Sequence, residues 1–410
     1  MRKFILFLTS IFILTTVSGQ EQKAAKLSPE EIESIFLKQN LELIAEKMNI
    51  SIADAEIAQA KLWDNPEISI AQVNLWNTAE KQFSIELSQL ILTANKRGKL
   101  VDMGKISKEI AIREFEEILR GLKLELRKSI QELLYLQSYQ EVITTQAQSI
   151  EKLIAAYRKQ VEQGNIAKTE LLRLQSEFME LENERNEISI ELNEQQKLLK
   201  SLLNADPTVI IRIDDKRVVS SPGNLLLQDL MQTAVESRPD VKRSDLQTQY
   251  FAKSLSYEKA MRVPDVTFNA TYDRFGGVWK NFVGFGISFD IPVLNRNQGS
   301  IKAAKITLDQ SKYLLQQQKN LVQHEVVEAF HNYTQAYDFY QKINQYELLS
   351  ELDQMLDSYT KNFLNRNVSI LEYLDFLGAY KMNKQTLLTS YKNVTIFWNE
   401  LQYLVGQEIK

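Results

Sequence analysis

"NIAKTELL" at residues 165–172 and "NVSILEYL" at residues 367–374 are two versions of one string, and their relation decides how the chain is built. The first follows Gly164, which stands alone between two stretches free of Gly and Pro, Leu122–Gln163 and Asn165–Asp206. Working outward, the same kind of correspondence recurs. "NPEISI" (65–70) matches "VPDVTF" (263–268), which puts Pro66 on Pro264. "SIELSQLILTANKRG" (84–98) matches "GISFDIPVLNRNQG" (286–299), which puts Gly98 on Gly299. Three blocks keep the same order at an offset of roughly 200 residues, so the chain is two copies of one plan.

Composition agrees with long helices. Of 410 residues, 44% are hydrophobic and 25% charged, while there are only 13 Gly and 7 Pro. There is no Cys, which excludes disulfides, thiolate metal sites, a Cys nucleophile and a lipid-modified Cys. Two imidazoles, His324 and His331, lie seven residues apart on one helix, not at the i,i+4 chelate spacing, so no metal site is expected. No convergent Ser/His/Asp set or cofactor loop is present, and "VGFG" (283–286) sits in an alternating strand, so an enzyme and a bound cofactor are not expected.

"MRKFILFLTSIFILTTVSGQ" has a basic start, a short apolar run and a small-residue end, the pattern of a signal peptide over residues 1–20. Its removal takes away Arg2 and Lys3 and leaves 47 basic against 53 acidic side chains, which does not point to nucleic acid. No later segment has the ~18 apolar residues of a membrane-spanning helix. The chain divides into a first repeat (21–204), a linker (205–224) and a second repeat (225–410).

Each repeat opens with a helix, the first at Ser28-Pro29-Glu30-Glu31 with Ser as cap and Pro at the first turn, the second near Leu225. These helices run to Pro66 and Pro264, which should end them. Two strands follow in each. Val266, Phe268, Ala270 and Tyr272, and then Val283, Phe285, Ile287, Phe289 and Ile291, alternate with polar or small residues. In the first repeat Phe83, Ile85 and Leu87 alternate, but Ile68 and Ile70 are out of phase with Val73 and Leu75, which predicts a bulge. Trp63, Trp76 and Trp279 fall near strand ends, where membrane-interface aromatics sit. A small soluble sheet would give the same alternation.

A long helix then runs from about Lys99 to Gln163 and from Ser300 to Leu364, with Leu119, Leu122, Leu126, Ile130 and Leu133 forming a coiled-coil seam. About 65 residues span ~100 Å, too long to bury in one globule. If the strands lie in lipid, four per chain cannot close a barrel, so several copies must share one; three would give twelve strands.

The duplicated halves, "AKLWDNPEISIAQVNLW" (60–76), "IELSQLILTANKRGK" (85–99) and the strings at 163–172 and 365–375 resemble the TolC-like outer-membrane efflux family. The segments around Trp63 and Lys96 are most similar to its CzcC-like heavy-metal branch. The resemblance implies a mainly α protein with a membrane β-barrel: a homotrimeric outer-membrane channel of twelve strands, continued by an α-helical barrel across the periplasm. It implies a passive export duct, with heavy-metal cations as the cargo of the branch, working with a periplasmic adaptor and an inner-membrane pump. A duct of a drug-efflux or type I secretion system is the alternative within the family, and a periplasmic coiled-coil adaptor the alternative outside it. The resemblance also implies tip turns at Gly164-Asn165 and Arg366-Asn367 for adaptor docking. It places Thr169, Glu170, Glu372 and Asp375 at the periplasmic entrance, with Asp375 as the constriction residue.

Overall fold

The computed structural model describes residues 24–73, 81–214, 219–223, 225–344 and 348–409. The expected signal peptide and Trp76 lie outside the described residues. In chain order the elements are β1 (Ala24–Leu27), α1 (Pro29–Gln39), α2 (Leu41–Ala60), β2 (Glu67–Val73), β3 (Gln82–Ile91), α3 (Lys96–Glu162), α4 (Lys168–Leu203) and β4 (Ile210–Ile213). The second half repeats the plan with α5 (Leu227–Ser237), α6 (Pro239–Ala260), β5 (Val266–Arg274), β6 (Asn281–Ser288), α7 (Gln298–Asn344), α8 (Leu348–Leu364) and α9 (Ile370–Val405).

The first helix starts as the sequence predicts. The Ser28 hydroxyl accepts from the Glu31 amide while Glu31 reaches back to the Ser28 amide, so two otherwise orphaned donors are satisfied. The expected single opening helix is, however, two helices in each repeat. Asn40 breaks the first, because its side chain caps α2 at the Leu43 amide and also donates to the Leu202 carbonyl. Pro239, lacking an amide hydrogen, makes the corresponding break at the start of α6. Nor do Pro66 and Pro264 end these helices. They stop at Ala60 and Ala260, and the prolines occupy the extended approach to the strands that the residue before a proline favours.

Strands β2-β3-β5-β6 form one antiparallel sheet in that order. The β2–β3 pairing is continuous from Glu67↔Ser88 to Val73↔Gln82, so the expected bulge is absent from these residues; Leu75 lies outside the described residues. Register gathers like with like. Ile68, Leu87, Ala270 and Phe285 form one row across all four strands, and Ile70, Ile85, Tyr272 and Val283 the next. On the opposite face the rows are Glu67, Ser88, Asn269, Gly286 and Ser69, Glu86, Thr271, Gly284. The apolar face has no cover among the described residues: Ile70 is 67% exposed and Phe285 86%.

A second, two-stranded parallel sheet pairs β1 with β4. β4 lies inside the stretch 205–224 expected to be a linker, and its Ile211 and Ile213 join a core with Phe36, Leu126, Leu133 and Leu199. Helix α3 packs on both α4 and α9, α9 also packs on α7 and α8, and α6 packs on both α3 and α7. At 67 residues α3 is ~100 Å long. Of the seam read from the sequence, Leu126, Ile130 and Leu133 are buried and Leu119 and Leu122 pack partly buried against the same core; burial then continues through Leu136, Ile143, Ile150 and Leu153.

Candidate functional site at the helical tips

Both long hairpins turn at one end of the molecule, and the two turns have the same backbone. After α3, Gly164 is left-handed (φ 73°), its amide donates to the Val161 carbonyl, and the Asn165 amide donates to Gln160. After α8, Arg366 is left-handed (φ 65°), its amide donates to Phe363, and the Asn367 amide donates to Asn362. Each is a Schellman closure, which satisfies helix carbonyls left open at the C-terminus. Arg366 adopts a conformation that favours glycine, so the second tip forms without one. Its guanidinium reaches the Asn165 carbonyl at 3.4 Å, which links the tips of the two repeats.

The helices that leave the tips start unequally. At α9 the Ser369 hydroxyl accepts from the Glu372 amide, and Glu372 accepts from the Ser369 amide at 2.8 Å, a capping box. The Ser369 backbone amide and hydroxyl hold the Glu372 carboxyl below its ordinary value. At α4 the equivalent positions are Ala167 and Glu170, and no side chain caps the helix. Thr169 is exposed, and Glu170 is half-buried near Tyr157. Burial, and then the Glu170 charge, push the Tyr157 phenol up to about 12. Asp375 is exposed one turn beyond Glu372, and its carboxylate makes no hydrogen bond or ion pair among the described residues. The four acidic and polar positions are thus chemically distinct: Glu372 is engaged in capping, and Asp375 is exposed without a partner among the described residues.

Behind the turns lies an aromatic stack that sequence patterning did not single out. Tyr157 of α3 stacks on Phe363 of α8 at 5.1 Å, and Phe363 stacks on Tyr373 of α9 at 4.5 Å. Tyr359 and Phe376 make a parallel pair at 4.3 Å. Further from the tip, Lys381 pairs with Glu184 at 2.9 Å, Tyr139 donates to the same carboxylate, and Lys384 pairs with Asp353 at 2.7 Å. Aromatic spacing along each helix was visible in the sequence, but the stacking joins three helices and needs their alignment. His324 and His331 are exposed on α7, and among the described residues no group of three metal-ligating side chains is placed to hold an ion.

The chain joins an open four-stranded sheet, apolar on one face, to helical hairpins whose longest arm spans ~100 Å, and solved outer-membrane channels share this fold. The chain superposes on the CusC channel with a TM-score of 0.75 at 17% identity, covering 93% of this chain and 92% of that one. The outer-membrane protein VceC of Vibrio cholerae gives 0.73 at 15% identity, covering 92% and 96%. In sequence, the chain is 22% identical over 307 residues to the cobalt-zinc-cadmium resistance protein CzcC of Cupriavidus metallidurans, covering 72% of this chain and 70% of that protein. No family profile matches the chain. The resemblance to TolC-like outer-membrane efflux proteins therefore holds in fold and, more weakly, in sequence.

Proposed function

We propose that the protein is the outer-membrane duct of a tripartite efflux system, carrying solutes passively from periplasm to exterior. The observation that carries this is the sheet: among the described residues its apolar face is uncovered and its edges β2 and β6 are unpaired. Lipid tolerates the face but not the edges, so copies must join β2 to β6 around a closed ring. Three copies give a twelve-stranded barrel, within the range of outer-membrane barrels, with Ser69, Glu86, Thr271 and Gly284 toward water inside it. The protein then sits in the outer membrane with its helical part in the periplasm. A periplasmic adaptor has one hairpin and no such duplicated sheet, so that alternative loses its support.

The tips form the periplasmic mouth, where Gly164, Asn165, Arg366 and Asn367 are presented to an adaptor bound to an inner-membrane pump. Asp375, free of partners, forms the narrow ring, and its carboxylates favour cations. Similarity to a cobalt-zinc-cadmium resistance protein supports divalent heavy-metal cations as cargo. The test is twofold. The protein extracted from outer membranes should run as a heat-sensitive trimer, and loss of its gene should raise sensitivity to cobalt, zinc or cadmium. Recovery as a soluble monomer overturns the duct; an unchanged metal sensitivity with raised drug sensitivity overturns the cargo. In planar bilayers Asp375→Asn should lower cation-over-anion permeability, and an unchanged ratio removes Asp375 from the ring.

A further inference from the structure

The helical end of the sheet carries cations that no carboxylate neutralises. Where α2 gives way to β2, Trp63 is 57% exposed, and the Arg97 guanidinium lies 3.7 Å over its ring. Arg97 makes one long hydrogen bond, to the Lys61 carbonyl at 3.4 Å, which leaves most of its donors without a partner among the described residues. Arg262 follows α6, and Arg296, whose Nε donates to the Val293 carbonyl, precedes α7; both are exposed, as is Lys61. None of these four forms an ion pair among the described residues. The buried cation at this level, Lys96, is by contrast fully used, bonded to the Val263 carbonyl and Asp265 at 2.7 Å. The exposed carboxylates at this end are Asp64, Glu67 and Asp290, so the four basic groups outnumber them.

These cations border an apolar surface directly. Leu62, Met261, Val263, Ile291 and Leu294 are all exposed in the same connections, within six residues of the strands that carry the apolar rows. An indole at such a boundary lies in the interface with its ring toward the acyl chains, and a guanidinium stacked on it projects to the polar side. We infer that Lys61, Arg97, Arg262 and Arg296 form a basic collar that binds the phosphates of anionic phospholipid in the periplasmic leaflet, with Trp63 setting its depth. The inference rests on the sheet being lipid-facing. Charge complementarity and nearness in the chain to the apolar strands identify lipid as the occupant; a protein partner would leave the adjoining apolar face uncovered.

The full chain is reconstituted into phosphatidylcholine vesicles containing phosphatidylglycerol, and bound lipid is counted by native mass spectrometry after mild detergent release. Phosphatidylglycerol should be enriched over its vesicle fraction by about fivefold or more, the gain of one basic residue at an anionic surface. The triple variant Arg97→Gln, Arg262→Gln, Arg296→Gln should bring the ratio back to that of the vesicle, and the matching Lys triple should restore it. Equal lipid ratios for wild type and the Gln variant overturn the collar. So does loss of enrichment only in an Arg274→Gln, Lys280→Gln variant, which places the contacts at the other rim. Flotation with the vesicles is scored separately: a chain that does not float refutes the barrel, while one that floats without enriching phosphatidylglycerol refutes the collar alone.

Discussion

Ala167 and Ser369 occupy equivalent places in the two repeats, yet only Ser369 caps its helix. The acidic partner is present in both, as Glu170 and Glu372. Ala167→Ser should therefore complete a second capping box and stabilise the first tip by about 1 kcal/mol, and Ser369→Ala should cost about as much. Hydrogen exchange of the first-turn amides of α4 and α9 checks both, with slower exchange expected in the first variant and faster in the second. At this scale the sequence was partly legible. Ser369 and Glu372 stand at capping-box spacing, so the engagement of Glu372 in capping is legible from the sequence. The turn at Arg366 was harder to see, since a left-handed arginine has no compositional signature.

At the scale of elements, the junction of α5 with α6 is held by an ion cluster rather than by apolar packing alone. Arg238 and Asp240, both buried, pair at 2.5 Å; Arg238 also reaches Glu325 at 2.6 Å and the Leu404 carbonyl near the end of α9. Burial works to raise the Asp240 carboxyl, but the Arg238 hydrogen bond and charge outweigh it and hold the group below its ordinary value of 3.8. A depressed carboxylate contributes stability that is fully present above the unfolded value and is lost as pH falls through the folded one. Asp240→Ala should cost about 3–5 kcal/mol near neutral pH by leaving Arg238 underpaired in the interior. The gap in melting temperature between wild type and variant should narrow once the pH drops below about 3.8. A gap independent of pH would assign the loss to packing. Helix and strand identities along most of this chain followed from periodicity. The breaks at Asn40 and Arg238 did not, because an Asn inside an amphipathic run and a Pro at a first turn disturb the period too little. Strand β4 was missed for another reason: four residues, Ile210–Ile213, are too short to show alternation against an apolar run.

For the whole molecule, the sequence showed which residues alternate but not which strands meet, and it is the order β2-β3-β5-β6 that leaves two open edges. The register then makes a prediction that separates a membrane barrel from a soluble sheet by adjacent residues. Ile70 lies in the row Ile70, Ile85, Tyr272, Val283, and Ser69 in the row Ser69, Glu86, Thr271, Gly284. In a barrel the first row faces acyl chains and the second faces water. Ile70→Lys should then cost about 2–4 kcal/mol near the midplane and reduce the yield of heat-sensitive trimer in outer membranes, whereas Ser69→Lys should be tolerated. Ser69→Lys should also lower cation conductance by placing a positive charge beside Glu86 in the lumen. Were the apolar rows instead packed on another part of a soluble assembly, Ile70→Lys would lower stability without changing the membrane fraction, and Ser69→Lys would leave conductance without meaning. Membrane fractionation of the two variants, followed by bilayer recordings of the one that assembles, distinguishes the cases because neighbouring residues on one strand must answer oppositely.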